Sequence, residues 1–375
     1  MKRYIVVALL CVFAVLALTT LIQYPPFEED QVVLVRDGMS LRHISERNDV
    51  PLDVLVPLLP TENRSDFLTT FRSVHKPLSE LEINHNDIRT AILQTWSEGI
   101  PAKDLLRYVL LGIWVAGAGW LLVRQKRLAR TRTMWLIVTF VLFGVVLGSA
   151  PNPMEAVVRL HKLINGIPGN PFVLVVAGFV VFTLLSILGS RMLCSWGCPL
   201  GALQESMYNI PLFQKFKKTH KFPFAASISI RLTIYTLFFL LLFGILNLNQ
   251  GGPGSILYHH LNLFKIFDPH ELAVFTLFLI PIFVVASVVV FRPFCHTICP
   301  FGLWAWLSER VAYYRIRRVD PEVCVDCSEC EDACPTGAMA AINADDGRFF
   351  LPDCWSCAKC IDACPNEVLE WAPPR

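Results

Sequence analysis

Twelve of the thirteen cysteines form three groups of four between Cys194 and Cys364, and the spacing is that of ligands rather than of a disulfide framework. The C-terminal pair of runs, "CVDCSECEDACP" (324–335) and "CWSCAKCIDACP" (354–365), both read C-x2-C-x2-C-x3-C-P. This run holds [4Fe–4S] clusters, with the fourth cysteine crossing to the other cluster. One cluster is therefore expected on Cys324, Cys327, Cys330 and Cys364, and a second on Cys354, Cys357, Cys360 and Cys334. Three thiolates from a short loop cap three corners of a cubane, and exchange of the fourth holds the two clusters close together. Pro335 and Pro365 turn the chain after each crossed ligand, and loop amides are available to the sulfurs. Structural zinc is the alternative for such thiolates; the doubled eight-cysteine spacing argues against it.

The remaining four cysteines belong to a second repeat. "RMLCSWGCPLG" (191–201) recurs 101 residues later as "RPFCHTICPFG" (292–302), giving R-x2-C-x3-C-P-x-G both times. In helical geometry the cysteines of each copy share a face, and Pro199 and Pro300 bend or end the helix just beyond them. Cys194, Cys198, Cys295 and Cys299 are expected to meet as a four-thiolate site, with Arg191 and Arg292 suited to an interface and to offsetting thiolate charge. An iron–sulfur cluster, a metal such as copper and a redox-active thiol set all suit soft thiolates. Buried structural thiols are the plain alternative. His296 lies between two of the cysteines, but its counterpart Ser195 cannot ligate alike, which makes it secondary.

The elements that must position these groups are membrane spans. The 375 residues are 54% hydrophobic and 17% charged, with mean hydropathy +0.49 and net charge +2. That composition points to a membrane-embedded chain and carries no nucleic-acid footprint. Six apolar segments are long enough to cross a bilayer, at 4–22, 105–123, 134–150, 171–190, 228–247 and 272–291. Arg231, near one end of the fifth, is expected to snorkel. "RQKRLARTR" (124–132), "FQKFKKTHK" (213–221) and "RIRR" (315–318) are basic, whereas 151–170 and 248–270 hold three Lys or Arg between them. The positive-inside rule then places both termini in the cytoplasm and both cysteine pairs on the cytoplasmic face. The first span reads as an uncleaved anchor, in which Cys11 is an idle thiol.

Residues 23–104 lie outside on this topology, with fourteen acidic residues, eight Lys or Arg and no cysteine. Helical apolar spacing over 39–59 and 76–93, with Ser40 as N-cap, predicts a small helical module. His43, His75 and His85 read as ordinary surface residues. The loop stretches 152–166 and 258–271 read as interfacial helices. Glu155, His161, His259, His260, His270 and Glu271 are candidates there to accept quinol protons, against the plainer reading of solvated headgroup-level side chains. No histidine lies in mid-span, where facing haem ligands would sit.

Residues 319–370 resemble a bacterial-type ferredoxin. Together with the two CxxxCP motifs (Cys194, Cys198, Pro199; Cys295, Cys299, Pro300), the chain from about 130 to 370 resembles the NapH/MauN family of ferredoxin-type membrane proteins. That family includes the membrane quinol-dehydrogenase subunit of periplasmic nitrate reduction, with relatives in nitrous oxide reductase maturation and oxidase assembly. The resemblance implies four core spans, cytoplasmic clusters in a bacterial inner membrane, and electron transfer between membrane quinol and other carriers. This chain adds a span, an outside module and another span in front, and has no S-G-A-T-type flavin attachment sequence.

The expected architecture is an α-helical polytopic membrane protein of about six transmembrane helices with a small α+β 2[4Fe–4S] ferredoxin domain. Its parts are an anchor (1–22), an outside module (23–104), a second span with its basic loop (105–133), a four-helix core (134–318) and the ferredoxin domain (319–375). The expected function is electron transfer between a quinone pool or an outside redox partner and the clusters. The alternative is a redox assembly or regulatory factor for a partner enzyme.

Overall fold

The computed structural model describes residues 33–373 except 34, 49, 98–101, 125–127, 149–151, 165–171, 244, 246–256, 270–271, 273 and 345–351. The expected first span and Cys11 therefore lie outside the described residues, as do His270 and Glu271.

The N-terminal module is helical: α1 (Leu41–Asn48), α2 (Leu52–Leu55), α3 (Phe67–His75) and α4 (His85–Ser97). Ser40 Oγ accepts from the amide of His43, and Asp66 caps α3 through Thr69. Leu41, Ile44, Leu55, Val74, Ile88 and Ile92 build its own core, separate from the main one. His75 is no free surface residue, since its Nε2 lies 3.1 Å from the carbonyl of Leu272 and ties the module to the core.

The core comprises α5 (Ala102–Arg124), α6 (Ala129–Thr139, continuing π-helically through Phe140–Val146), α7 (Pro153–Ile164), α8 (Phe172–Gly189), α9 (Pro199–Asn209), α10 (Gln214–Thr219), α11 (Phe224–Leu242), α12 (Leu257–Leu261), α13 (Val274–Val289), α14 (Pro293–Thr297) and α15 (Pro300–Glu309). Among the described residues three helices are long and apolar enough to span a membrane: Leu106–Arg124, Ala129–Val146 and Phe224–Leu242. Val175–Gly189 and Phe275–Val289 are apolar but shorter. Ile113, Trp120, Val145, Phe278 and Val285 stand exposed on these helices, as lipid-facing side chains do.

The tandem repeat extends far beyond the cysteine motifs. α6, α7, α8 and α9 are followed in the same order by α11, α12 with its 3-10 extension Leu263–Phe267, α13 and α15. The loop helices pack on the core. α7 packs on α8 and α15, and α12 packs on α11 and α13. Gly144 shows how closely these parts approach, because a Cβ there would fall 2.5 Å from the Phe267 ring.

The C-terminal part holds one antiparallel ribbon, β1 (Arg315–Arg318) with β2 (Leu369–Ala372), in register Ile316↔Trp371. Around it lie α16 (Glu329–Ala333), α17 (Ala338–Ala344) and α18 (Lys359–Ala363). It is more helical than the α+β expectation, because most of its chain wraps the cysteine loops and only four residues at each end pair as strands.

Candidate cysteine-ligated redox site

Each loop of the C-terminal pair bends through two non-glycine residues in the left-handed region. These are Asp326 and Ser328 in one, and Ser356 and Ala358 at the matching positions of the other. Such backbone is costly for L-residues, and here it curls each chain around its sulfurs. Cys324, Cys327, Cys330 and Cys364 line one cavity of about 240 Å³. Cys334, Cys354, Cys357 and Cys360 line a second, of about 20 Å³. Among the described residues no three His, Cys, Asp or Glu side chains converge as ligands of a single ion. Four thiols around a cavity therefore fit a polynuclear cluster better than zinc, which needs its ligands about 2.3 Å from one point.

The two cavities differ in surroundings. Cys327 is exposed and Cys324, Cys330 and Cys364 half-buried, whereas Cys334, Cys357 and Cys360 are buried against the core. Asp353, one residue before Cys354, is 1% exposed. Its carboxylate takes Arg191 at 2.6 Å, Arg231 at 2.8 Å and His296 Nδ1 at 3.1 Å. Burial opposes its ionisation, but Arg191 and then Arg231 outweigh that and hold the carboxyl well below the usual range. Glu309 accepts from the Cys354 amide (3.1 Å), and Trp196 Nε1 donates to the Ser356 carbonyl (3.0 Å). Arg191 lies 4.5 Å over the Trp355 ring.

Arg231 therefore does not snorkel: it points inward to Asp353 and to the Gly302 carbonyl, 2.9 Å away. Arg191 and Arg292 are fully buried rather than interfacial. They brace the two motif copies reciprocally. Arg191 donates to the carbonyl of Gly302 (2.7 Å), while Arg292 donates to those of Cys194 and Ser195. Glu205 is held bidentately by Arg132 (2.7 and 2.8 Å) and also takes Arg292 at 2.6 Å.

In the motifs themselves, Cys194 sits in the π-helical turn Leu193–Gly197 and Cys295 in α14. Cys198 and Cys299 are N-caps, so each proline begins a new helix at its first position. The motif glycines are required by close approach. A Cβ on Gly201 would lie 2.6 Å from the Arg292 guanidinium, and one on Gly302 would lie 2.6 Å from the Cys295 carbonyl.

All four cysteines are buried. Gln204 Nε2 lies 3.5 Å from Cys295 Sγ, and the Gly201 amide 3.5 Å from Cys198 Sγ. Burial pushes the Cys194 thiol up to about 12 and the Cys198 thiol higher, with Cys295 adding to both. Four buried cysteine sulfurs are a soft donor set of the kind that suits an iron–sulfur cluster or a thiophilic metal, although among the described residues no three of them converge on a single ion. Buried Arg132 Nη1, Arg191 Nη1, Arg231 Nε and the Tyr258 hydroxyl have no hydrogen-bond partner. His296 faces Asp353 and Ser227, which accounts for it without a ligand role.

The sequence reading missed Arg132, Glu205, Glu309 and Asp353. The available signal was an acidic residue beside each cysteine group in an otherwise apolar neighbourhood, opposite the motif arginines. His161 and His259 are buried rather than solvated at headgroup level, and Glu155 is half-buried.

A family model described as a 4Fe-4S binding domain matches residues 171–220 and 272–310, which contain both CxxxCP motifs. A 4Fe-4S dicluster domain matches residues 316–365. YccM of Escherichia coli (strain K12), provisionally named an electron transport protein, is 25% identical over 67% of this chain and 68% of its own length. NirI of Paracoccus denitrificans (strain Pd 1222) is 23% identical over 65% of this chain, which spans little over a third (36%) of NirI. Ferredoxin-1 of Rhodobacter capsulatus is 42% identical over 48 residues, 74% of its length and 10% of this chain. No solved structure matches.

Proposed function

We propose that the chain is a member of the NapH/MauN-like family of ferredoxin-type membrane proteins, supported by its similarity to YccM and NirI and by the two 4Fe-4S family models, and that it carries electrons. It is an iron–sulfur electron-transport protein of the membrane, acting with a redox partner. In our reading one [4Fe–4S] cluster is held by Cys324, Cys327, Cys330 and Cys364, and another by Cys334, Cys354, Cys357 and Cys360. A third iron–sulfur centre is held by Cys194, Cys198, Cys295 and Cys299. Six spans put these groups at the cytoplasmic side of an inner membrane, and quinol is the electron donor.

Bound clusters supply one-electron acceptance and release. The chain's own residues set burial, charge and contact. Arg191, Arg231 and Arg292 offset thiolate charge, Asp353 and Glu309 hold the Cys354 loop on the core, and Trp196 and Trp355 exclude water between them. The observation that carries the reading is the apposition of the buried loop Cys354–Cys360 to both CxxxCP motifs through Arg191 and Asp353.

Anaerobically purified protein is expected to contain iron and acid-labile sulfide for three clusters. The double variant Cys194→Ser/Cys295→Ser is expected to lose one third of each. Absence of labile sulfide from the wild type sinks the reading, and unchanged content in the variant removes the third centre.

A further inference from the structure

A second polar cluster lies at the opposite, outer end of the core. It draws on three elements that are remote in sequence: α1 with Arg42 and Glu46, α7 with Glu155, Arg159 and Lys162, and the stretch 257–267 with His259, His260 and Lys265. Lys265 reaches Glu46 Oε1 at 3.0 Å, Arg42 pairs with the same oxygen, and Lys162 donates to the Glu46 carbonyl at 2.8 Å. Burial opposes ionisation of Glu46, yet Lys265, His259 and Arg42 hold its carboxyl well below the usual range. It is a fixed negative charge.

His259, 5% exposed, stands between two carboxylates. Its Nδ1 faces Glu46 Oε2 at 3.4 Å, and its Nε2 is 4.0 Å from Glu155 Oε1, beyond hydrogen-bond reach. Nε2 has no hydrogen-bond partner. A carboxylate beside one nitrogen of an imidazole, with the other nitrogen buried and unpaired, is how a general base is oriented. The next residue inward, Tyr258, is fully buried, and its hydroxyl also lacks a partner. Burial first, then Cys299, push that hydroxyl up.

We propose that His259, oriented by Glu46 of the outer module, is the base that takes the hydroxyl proton of a hydroquinone at the outer face. The proposal rests on the quinol reading above and assigns residues 23–104 a role: the module completes this site. In the reaction a hydroquinone loses two protons and two electrons to become a quinone. Each O–H bond breaks with its proton passing to His259 Nε2 and then to outer water, and the oxidant is the iron–sulfur set. Glu46 is a positioning residue, and Arg42, Glu155 and Lys265 complete the charges facing the ring.

The test uses the full chain in lipid nanodiscs with a short-chain hydroquinone as donor and ferricyanide as acceptor, across pH 5.5–8.5. His259→Gln is expected to lower kcat about a hundredfold or more. Glu46→Gln is expected to keep part of the rate and displace the acid limb of the pH profile. Dithionite bleaching of the iron–sulfur absorbance is expected to match wild type in both variants. As a readout independent of turnover, a quinone-analogue inhibitor is expected to bind wild type with a pH-dependent affinity, measured by calorimetry, that His259→Gln abolishes. Wild-type rate and profile in His259→Gln overturn the assignment of the base alone. Failure of wild type to oxidise hydroquinone, with dithionite bleaching intact, overturns the quinol reading together with this inference.

Discussion

The two cysteine loops of the C-terminal part share one spacing and one left-handed backbone, yet their surroundings are opposite. In the loop Cys324–Cys330 the flanking Val323 and Val325 are 48% and 64% exposed. In the loop Cys354–Cys360 the same positions are Asp353 and Trp355, at 1% and 2%. The local motif is therefore enough to shape a cradle, but not to say what the cradle is for. Two substitutions at matching positions turn one loop into a solvent-facing terminus and the other into a plug wired to the membrane core. Buried, well-paired charge and a water-excluding ring are also what shift a cluster's potential, so similar ligands here sit in different electrical environments.

The largest expected break of this asymmetry is Asp353→Ala. It leaves Arg231 buried without a carboxylate and Arg191 with Glu309 alone, a cost of about 3–5 kcal/mol, whereas Val323→Ala at the matching position should stay within about 0.5 kcal/mol. Thermal unfolding, with limited proteolysis of residues 312–373 as a second readout, distinguishes the two. Equal sensitivity at both positions contradicts the asymmetry.

Iron removal sharpens the comparison further. Chelator treatment should bleach the protein in two phases, the faster from the exposed Cys327 side, and Cys327→Ser should abolish only that phase. A single phase that includes all the iron would mean that both cradles are equally accessible.

The smallest effect concerns the left-handed backbone. Ser328→Gly relieves an exposed left-handed residue and should raise stability by up to about 1 kcal/mol, net of the added chain entropy. Ala358→Gly makes the same change at φ 62° but removes a fully buried methyl, so its gain should vanish. Denaturant midpoints of the two variants measure the difference.

Cys364 lines the cavity of the first loop and Cys334 that of the second. Ligand spacing is a short-range property, and a loop of seven residues can hardly present its sulfurs otherwise. Apolar helices were legible for a similar reason, since span length and hydropathy are local. The partners of the arginines were not. Arg231 within an apolar run looks like a residue seeking the headgroups, and only the docking of Asp353 from 122 positions away explains why it turns inward. Likewise the loop helices at 153–164 and 257–261 carry polar residues suited to an interface, but packing on α15 and α13 draws them inward and buries His161 and His259.

The sequence by itself determined which sulfurs group together, where the apolar helices run and that the CxxxCP stretch is repeated, because each follows from spacing or composition within a short segment. Tertiary structure alone decided which cradle faces water, which carboxylate neutralises each buried arginine, and that Glu46 of the N-terminal module meets His259. Those pairings form between charges far apart in the chain, where burial makes an unpartnered charge too costly to leave and the fold determines which partner can reach it.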